Sequence, residues 1–321
     1  MIEKRLLGQS GISVSKIALG TMYFGWKDSR ESSVERLNQY FEAGGNFIDT
    51  ANVYTRREAE GLDLYGKDFD KFEDGASEKL IGAWIKEKKN RENIVLATKV
   101  GFAYPGIEIG TSKRQIKEEC EKSLKRLGTD YIDLYYLHMD DKNTPFEQSL
   151  EALTELVREG KVRAVGASNF TAERLREADE VAKKEGFVRF SCIQNKGTYL
   201  TPRADVDYGR QAPLDRAVIS LAAERGITPI AYSPLAKGYY ANRNKTLAEC
   251  YMSKENEKRI KALDEVAKEL GVSPVQLVYA YLIESSPSII PIAASSTKEQ
   301  FCEALDSLKI TLSQEFMEIL G

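Results

Sequence analysis

Short apolar runs recur along this 321-residue chain, each followed by a polar turn and then a segment with apolar positions at helical spacing. The runs fall at 17–19, 46–49, 94–98, 132–137, 162–166, 192–194, 228–231 and 289–292. They are near-continuous rather than alternating, as expected of parallel strands covered on both faces. Helical spacing occupies 32–43, 77–88, 112–127, 145–159, 171–185 and 212–225, then 257–270, 274–284 and 313–320. Gly128, Gly160, Gly186, Gly226 and Gly271 each stand just past such a segment, where a left-handed cap suits glycine. Eight strands alternating with helices predict an α/β fold closed as a (β/α)8 TIM barrel, since count and length fit a barrel better than an open sheet. No Gly-x-Gly-x-x-Gly follows any run, which weighs against a Rossmann domain.

Ahead of the barrel, residues 5–8 and 11–14 predict a β-hairpin joined through Gln9-Ser10. No linker-like stretch or break in composition divides the chain, so 1–321 reads as a single domain. Three segments interrupt the rhythm, at 55–75, 197–211 and 236–254, and are read as long loops at the C-terminal mouth. Tyr65, Phe69 and Phe72 in the first have two readings, as lining of a substrate cleft or as packing of the loop onto the barrel.

Composition narrows the partners. With 46 Lys+Arg, 49 Asp+Glu and a net charge of −3 scattered along the chain, neither nucleic acid nor an anionic membrane is expected as a partner. The apolar runs are strand-sized, too short to span a bilayer. One histidine and four widely separated cysteines offer no metal-ligand spacing, so no metal is expected. The N-terminus lacks a signal-type apolar stretch, and the cysteines read as reduced thiols of a cytoplasmic protein.

The chemistry is sought at the strand ends, where barrel enzymes carry it. Asp49, Lys99, His138, Ser168-Asn169, Gln194 and Tyr232-Ser233 each stand at or just past an apolar run. Taken singly, Asp49 reads as a turn cap, Lys99 as a solvated strand end, Asn169 as a helix cap and His138 as a hydrogen-bonded structural residue. Taken together on a barrel, they converge on one mouth. Tyr54, five residues past Asp49, brings a phenol whose unperturbed pKa is near ~10. A lysine beside it stabilises the phenolate, an aspartate holds the ammonium, and an imidazole fixes a substrate oxygen. Such an acid, next to a hydride donor, reduces a carbonyl.

These residues resemble the aldo-keto reductase superfamily. The run Gly44-Gly45-Asn46-Phe47-Ile48-Asp49-Thr50-Ala51-Asn52-Val53-Tyr54 is similar to its first signature. Lys161-Val162-Arg163-Ala164-Val165-Gly166-Ala167-Ser168-Asn169-Phe170 resembles its second. Ala231-Tyr232-Ser233-Pro234-Leu235-Ala236 matches the turn after the seventh strand, and Gly20-Thr21-Met22 the first strand end. The resemblance covers essentially the whole chain. It implies a catalytic tetrad of Asp49, Tyr54, Lys99 and His138. It implies cofactor contacts from Gly20, Thr21 and Met22, carboxamide contacts from Ser168, Asn169 and Gln194, and Tyr232 stacked on the nicotinamide ring. Ser233 and Leu235 would meet the pyrophosphate of a cofactor lying extended across the mouth.

Departures from the family pattern bear on the cofactor. Ala294 and Gln300 stand where cations usually hold the 2′-phosphate of NADP, and Ala304 where an Asn is usual. Ser295, Ser296, Lys298 and Gln300 remain as phosphate contacts, so the family favours NADP with NAD as the alternative. Residues 55–75 form an insertion in the usual spacing between Tyr54 and Ser77-Glu78. Because 313–320 lies so near the end of the sequence, the long C-terminal loop that shapes substrate pockets in some relatives is expected to be missing. The expected activity is NAD(P)-dependent hydride transfer to or from an aldehyde, ketone or sugar carbonyl, with a tyrosine as general acid/base. Two alternatives stand beside it: an NAD-dependent sugar or polyol dehydrogenase, and a cofactor-binding regulatory subunit.

Overall fold

A computed structural model describes residues 2–54, 75–104 and 106–321. Tyr65, Phe69 and Phe72 lie outside the described residues, as does the insertion except for Gly75. A two-stranded antiparallel hairpin opens the fold, β1 (Lys4–Leu6) against β2 (Ser13–Ser15). Its strands are shorter than the sequence pattern suggests because Gly8 and Gly11 both take positive φ and belong to the turn.

Eight strands follow: β3 (Ala18–Gly20), β4 (Phe47–Asp49), β5 (Val95–Val100), β6 (Ile132–Leu137), β7 (Val162–Ser168), β8 (Cys192–Lys196), β9 (Thr228–Tyr232) and β10 (Ile290–Ala293). They close a barrel in the order β10-β3-β4-β5-β6-β7-β8-β9. The expected (β/α)8 barrel with an N-terminal hairpin is the observed fold. The helices are α1 (Arg30–Glu42), α2 (Ala76–Lys88), α3 (Lys113–Leu127), α4 (Phe146–Arg158), α5 (Ala172–Glu185), α6 (Arg216–Arg225), α7 (Lys254–Leu270), α8 (Pro274–Glu284), α9 (Lys298–Asp306) and α10 (Gln314–Leu320).

Two compact units are distinguishable. Residues 19–168 with 176–190 contain β3 to β7, whose buried positions on the two faces of the strands include Phe47, Leu96, Leu134, Tyr135 and Val165. Each fully buried side chain of this kind stabilises by roughly 1.5–3 kcal/mol. Within this unit α2 packs on α3 and α3 on α4. Asp133 is the polar exception inside β6. Its carboxylate accepts from the Leu96 N–H, Arg91 and Arg163, so the buried charge is paired and hydrogen-bonded.

Residues 1–18, 169–175 and 191–321 form the other unit, with the hairpin, β8, β9, β10 and the later helices. Here Gly8 N–H donates to Thr228 Oγ1 at 2.7 Å and Arg5 to Ser288 O at 2.8 Å, tying the hairpin down. A full capping box, with Ser273 and Gln276 exchanging bonds and Pro274 opening the helix, starts α8. Helix α6 begins four residues later than its apolar spacing suggests. Lys196 N–H donates to Ala212 O and Leu214 N–H to Lys196 O, so this stretch runs beside the end of β8 until Asp215 caps α6. Helix α9 was not visible in the spacing. Among the described residues, no helix is long and apolar enough to cross a membrane.

Candidate active site

Asp49 closes β4, and Lys99 is the fifth residue of β5. The strands pair in parallel with Asp49 opposite Ala97, a register that brings the Lys99 side chain alongside the end of β4. Lys99 is fully buried. Its ammonium donates to Asp49 Oδ1 at 2.5 Å, Thr50 O at 2.7 Å and the Tyr54 hydroxyl at 3.3 Å. Three donors meet three acceptors, which satisfies an ammonium completely. Burial pulls the Lys99 pKa down, but the Asp49 charge and the Tyr54 hydroxyl outweigh it, and the pKa ends raised. Lys99 is therefore a cation at neutral pH.

Tyr54 lies on the turn after β4, where its N–H donates to Ala51 O and its carbonyl accepts from Ser77 N. Its half-buried ring stands 6.0 Å from that of His138, inclined at 75°. His138 follows β6 directly, and its backbone N–H donates to Val100 O at 2.7 Å. Phe102 packs edge-on against the imidazole with ring centroids 4.6 Å apart. The structure thus brings together the four residues singled out in the sequence. Gly20 and Thr21 are buried, and the Thr21 hydroxyl donates to Asp49 O, while Met22 is exposed. Ser168 ends β7 and is buried.

A second group of the expected residues gathers on β8, β9 and the residue after β7. Asn169 adopts a left-handed conformation at φ 62°. Its N–H donates to Asn195 Oδ1 at 2.8 Å and to Gln194 O at 3.2 Å. Its own Oδ1 accepts from the Tyr232 hydroxyl at 2.7 Å and from Ala212 N. Asn195, fully buried, also donates to Phe170 O and Pro213 O. Left-handed backbone recurs at Ser233, Ala236 and Lys237. Each non-glycine residue held there costs about 1–3 kcal/mol, so the turn must be fixed by its surroundings. Thr198 supplies part of that support through Pro234 O and the Tyr240 hydroxyl. Leu235 is half-buried and Ser233 exposed.

Ser295, Ser296, Lys298 and Gln300 cluster at the N-terminus of α9, where backbone N–H groups and the helix dipole suit an anion. Ser296, Lys298 and Gln300 are exposed, and Gln300 accepts from the Ser296 N–H at 3.1 Å. No cluster of three or more metal-ligating side chains occurs among the described residues.

Sequence reasoning missed Thr50, Ser77, Glu78 and Asn195, which hold the selected residues in place. Only adjacency to Asp49 and Gln194 pointed toward two of them. Ser77 and Glu78 stand in the sequence as the start of a helix and as the far side of the insertion in the family spacing, neither of which shows what their side chains hold.

A parallel barrel with its titratable groups gathered at strand ends defines the enzyme class of (β/α)8 barrels. The model of the aldo/keto reductase family matches residues 16–320, and the chain belongs to that family. It is an oxidoreductase. The chain is 32% identical over 326 residues to norsolorinic acid reductase stcV of Emericella nidulans, an alignment covering 95% of this chain and 77% of that protein. It is 28% identical to the aryl-alcohol dehydrogenase [NADP(+)] of Phanerodontia chrysosporium, over 99% of this chain and 85% of that protein. A thermostable aldo-keto reductase solved in complex with the inhibitor epalrestat superposes with a TM-score of 0.74 at 29% identity, covering 99% of this chain and 98% of that one.

Proposed function

We propose that the chain interconverts an aldehyde or ketone and the corresponding alcohol, with Tyr54 giving and taking the proton at the substrate oxygen. The contact that carries the reading is the buried Lys99 ammonium within hydrogen-bond reach of both Asp49 and the Tyr54 hydroxyl. A nicotinamide dinucleotide, when bound, supplies or accepts the hydride. Asp49 keeps Lys99 charged, and Lys99 in turn favours the phenolate that Tyr54 becomes once it has protonated the carbonyl oxygen. His138, at the rim beside Tyr54, orients that oxygen. In the reverse direction the tyrosinate removes the alcohol proton.

Several features support nicotinamide binding. Asn169 is held in place by Asn195, its Oδ1 in turn anchors the Tyr232 hydroxyl, and the 233–238 turn is built on strained backbone. Exposed Ser296 and Lys298 at the α9 N-terminus favour the phosphate of NADP, the cofactor named for the aryl-alcohol dehydrogenase relative. The edge of Phe102 against His138 favours a carbonyl on an aromatic frame. One of the relatives above is named for an aryl alcohol, in keeping with that preference.

A second reading reverses the flow, as an NAD-dependent sugar or polyol dehydrogenase. The uncharged Ala294 and Gln300 favour it, since neither brings a positive charge to a 2′-phosphate. The deciding experiment follows nicotinamide absorbance with NADPH, NADP, NADH and NAD against aryl carbonyls, sugars and their alcohols. Tyr54→Phe run alongside is expected to lose about 10²–10⁴-fold in turnover with cofactor affinity retained. Turnover close to wild type in that variant would remove Tyr54 as the acid.

A further inference from the structure

The first turn of α2 holds a serine and a glutamate, the residue types that ordinarily cap a helix N-terminus. Neither does so here. Gly75 occupies the cap position with φ 59° and contributes no side-chain bond. Ser77 Oγ instead reaches Thr21 O and Thr21 Oγ1, both at 2.9 Å, and accepts from Thr50 Oγ1 at 2.9 Å. Thr21 Oγ1 passes its own proton to Asp49 O, also at 2.9 Å. The hydroxyls of Thr50, Ser77 and Thr21 thus form a one-way chain that ends on the backbone of Asp49. All three residues are wholly buried.

This chain touches the active site at three points. Thr50 supplies the carbonyl that accepts from the Lys99 ammonium. Thr21 fixes the carbonyl of Asp49, whose carboxylate is the ammonium's other anchor. Ser77 N–H donates to the carbonyl of Tyr54 at 3.1 Å, holding the turn that carries the phenol. Glu78 adds a fourth tie, accepting from Thr98 Oγ1 at 2.6 Å one residue before Lys99, with Arg126 as its counter-ion. A side chain that only started its helix would make none of these bonds.

We infer that Ser77, acting with Thr50 and Thr21, is a positioning residue that sets the distance between the Lys99 ammonium and the Tyr54 hydroxyl, and so the acidity of the phenol. The inference rests on the proposed role of Tyr54. The contact at stake is the longest the ammonium makes, 3.3 Å against 2.5 Å to Asp49. It is therefore the one that yields first when the turn loosens. Less ammonium at the oxygen means a less acidic phenol.

The test is a pH titration of Tyr54 in protein labelled with [13Cζ]tyrosine, the resonance assigned by its absence from Tyr54→Phe. Ser77→Ala and Thr50→Val each delete one hydroxyl of the chain with little change of volume. Both are expected to raise the Tyr54 midpoint by about 0.5–1 unit, because the ammonium stabilises the phenolate less. In parallel, kcat should fall roughly tenfold with KM little moved, as for an interaction made in the transition state. Thr50→Ser, which keeps the hydroxyl and drops the methyl, should return both readouts to near wild type. Should Ser77→Ala fail to fold, the Thr50→Val and Thr50→Ser pair decides alone. An unmoved midpoint in a folded hydroxyl-deleting variant overturns the inference, as does a Thr50→Ser protein as impaired as Thr50→Val. Carbonyl turnover retained in Tyr54→Phe overturns the proposed function instead, while the titration still judges the hydroxyl chain.

Discussion

Replacing Lys99 with methionine removes the ammonium and keeps most of the side-chain volume. Lys99 is fully buried and Asp49 nearly so, and the substitution takes the ammonium away from that carboxylate. With the charge centres about 4 Å apart and an effective dielectric near 20, the lost attraction is about 4 kcal/mol. That agrees with the roughly 3–5 kcal/mol cost of removing one member of a buried pair. Thr50 O also loses its donor, adding about 1 kcal/mol. Without the Lys99 ammonium beside it, the buried Asp49 shifts toward its neutral form, so its folded pKa in the variant rises above the unfolded value near ~3.9. A raised carboxyl favours folding at acid pH and loses that advantage as pH climbs, so the deficit of Lys99→Met should widen from about pH 5 to about pH 8. Wild-type Lys99 behaves oppositely to a lowered group. Its raised pKa keeps its contribution intact through neutral pH, to be lost only as alkaline pH passes the folded value. Adding Asp49→Asn to Lys99→Met deletes the buried carboxylate charge and should recover most of the lost stability. Urea unfolding followed by circular dichroism at both pH values measures all four members of the cycle. Turnover should stay down about 10²–10⁴-fold in the single and double variants alike. A Lys99→Met protein within about 1 kcal/mol of wild type would refute the buried-pair reasoning. A double variant that regained turnover with its stability would show that Lys99 serves folding rather than chemistry.

Two further predictions concern the cofactor. Asn195→Leu removes the acceptor that holds the Asn169 N–H and two donors to buried carbonyls, so NADPH affinity should weaken about tenfold; fluorescence titration measures it, and an unchanged Kd counts against Asn195 as the support of Asn169. Gln300→Arg places a bidentate donor at the exposed N-terminus of α9 and should shift the ratio of NADPH to NADH affinity upward by about tenfold; an unaltered ratio would mean that the 2′-phosphate lies elsewhere.

The barrel and the gathering of Asp49, Lys99 and His138 were legible for one physical reason. A parallel strand buried on both faces tolerates unpaired polar residues chiefly at its ends, so an apolar run that stops at Asp49, or before His138, marks both a strand and a candidate site. The same logic located Gln194 and Tyr232. It did not locate their supports. A serine at a helix start looks identical whether it caps its own helix, as Ser112 does for Gln115 N–H, or reaches inward as Ser77 does. Periodicity assigns a face but not a partner. Asn195 and Lys196 were hidden because β8 continues two residues past its apolar run, into polar residues paired with Ala231 and Tyr232 of β9. The start of α6 was misplaced for a related reason, since backbone bonds to Lys196 outweighed the helical spacing of Ala212 and Leu214.

The unequal contacts of Lys99 bear on how the site would work. Asp49 and Lys99 stand on paired strands whose register fixes their 2.5 Å contact, whereas Tyr54 stands on a turn and meets the ammonium at 3.3 Å. A phenol gains little from a cation at that distance, while a phenolate gains much more as the contact shortens. Shortening asks for movement of the turn that carries Tyr54, since Asp49 and Lys99 are held by the pairing of β4 and β5. The ammonium therefore binds the proton-depleted tyrosine better than the resting one. Interactions that strengthen only as the reaction proceeds are those that lower a barrier rather than deepen a ground state. A resting Lys99–Tyr54 contact as short as the ion pair would have stabilised the starting state as well, and accelerated less.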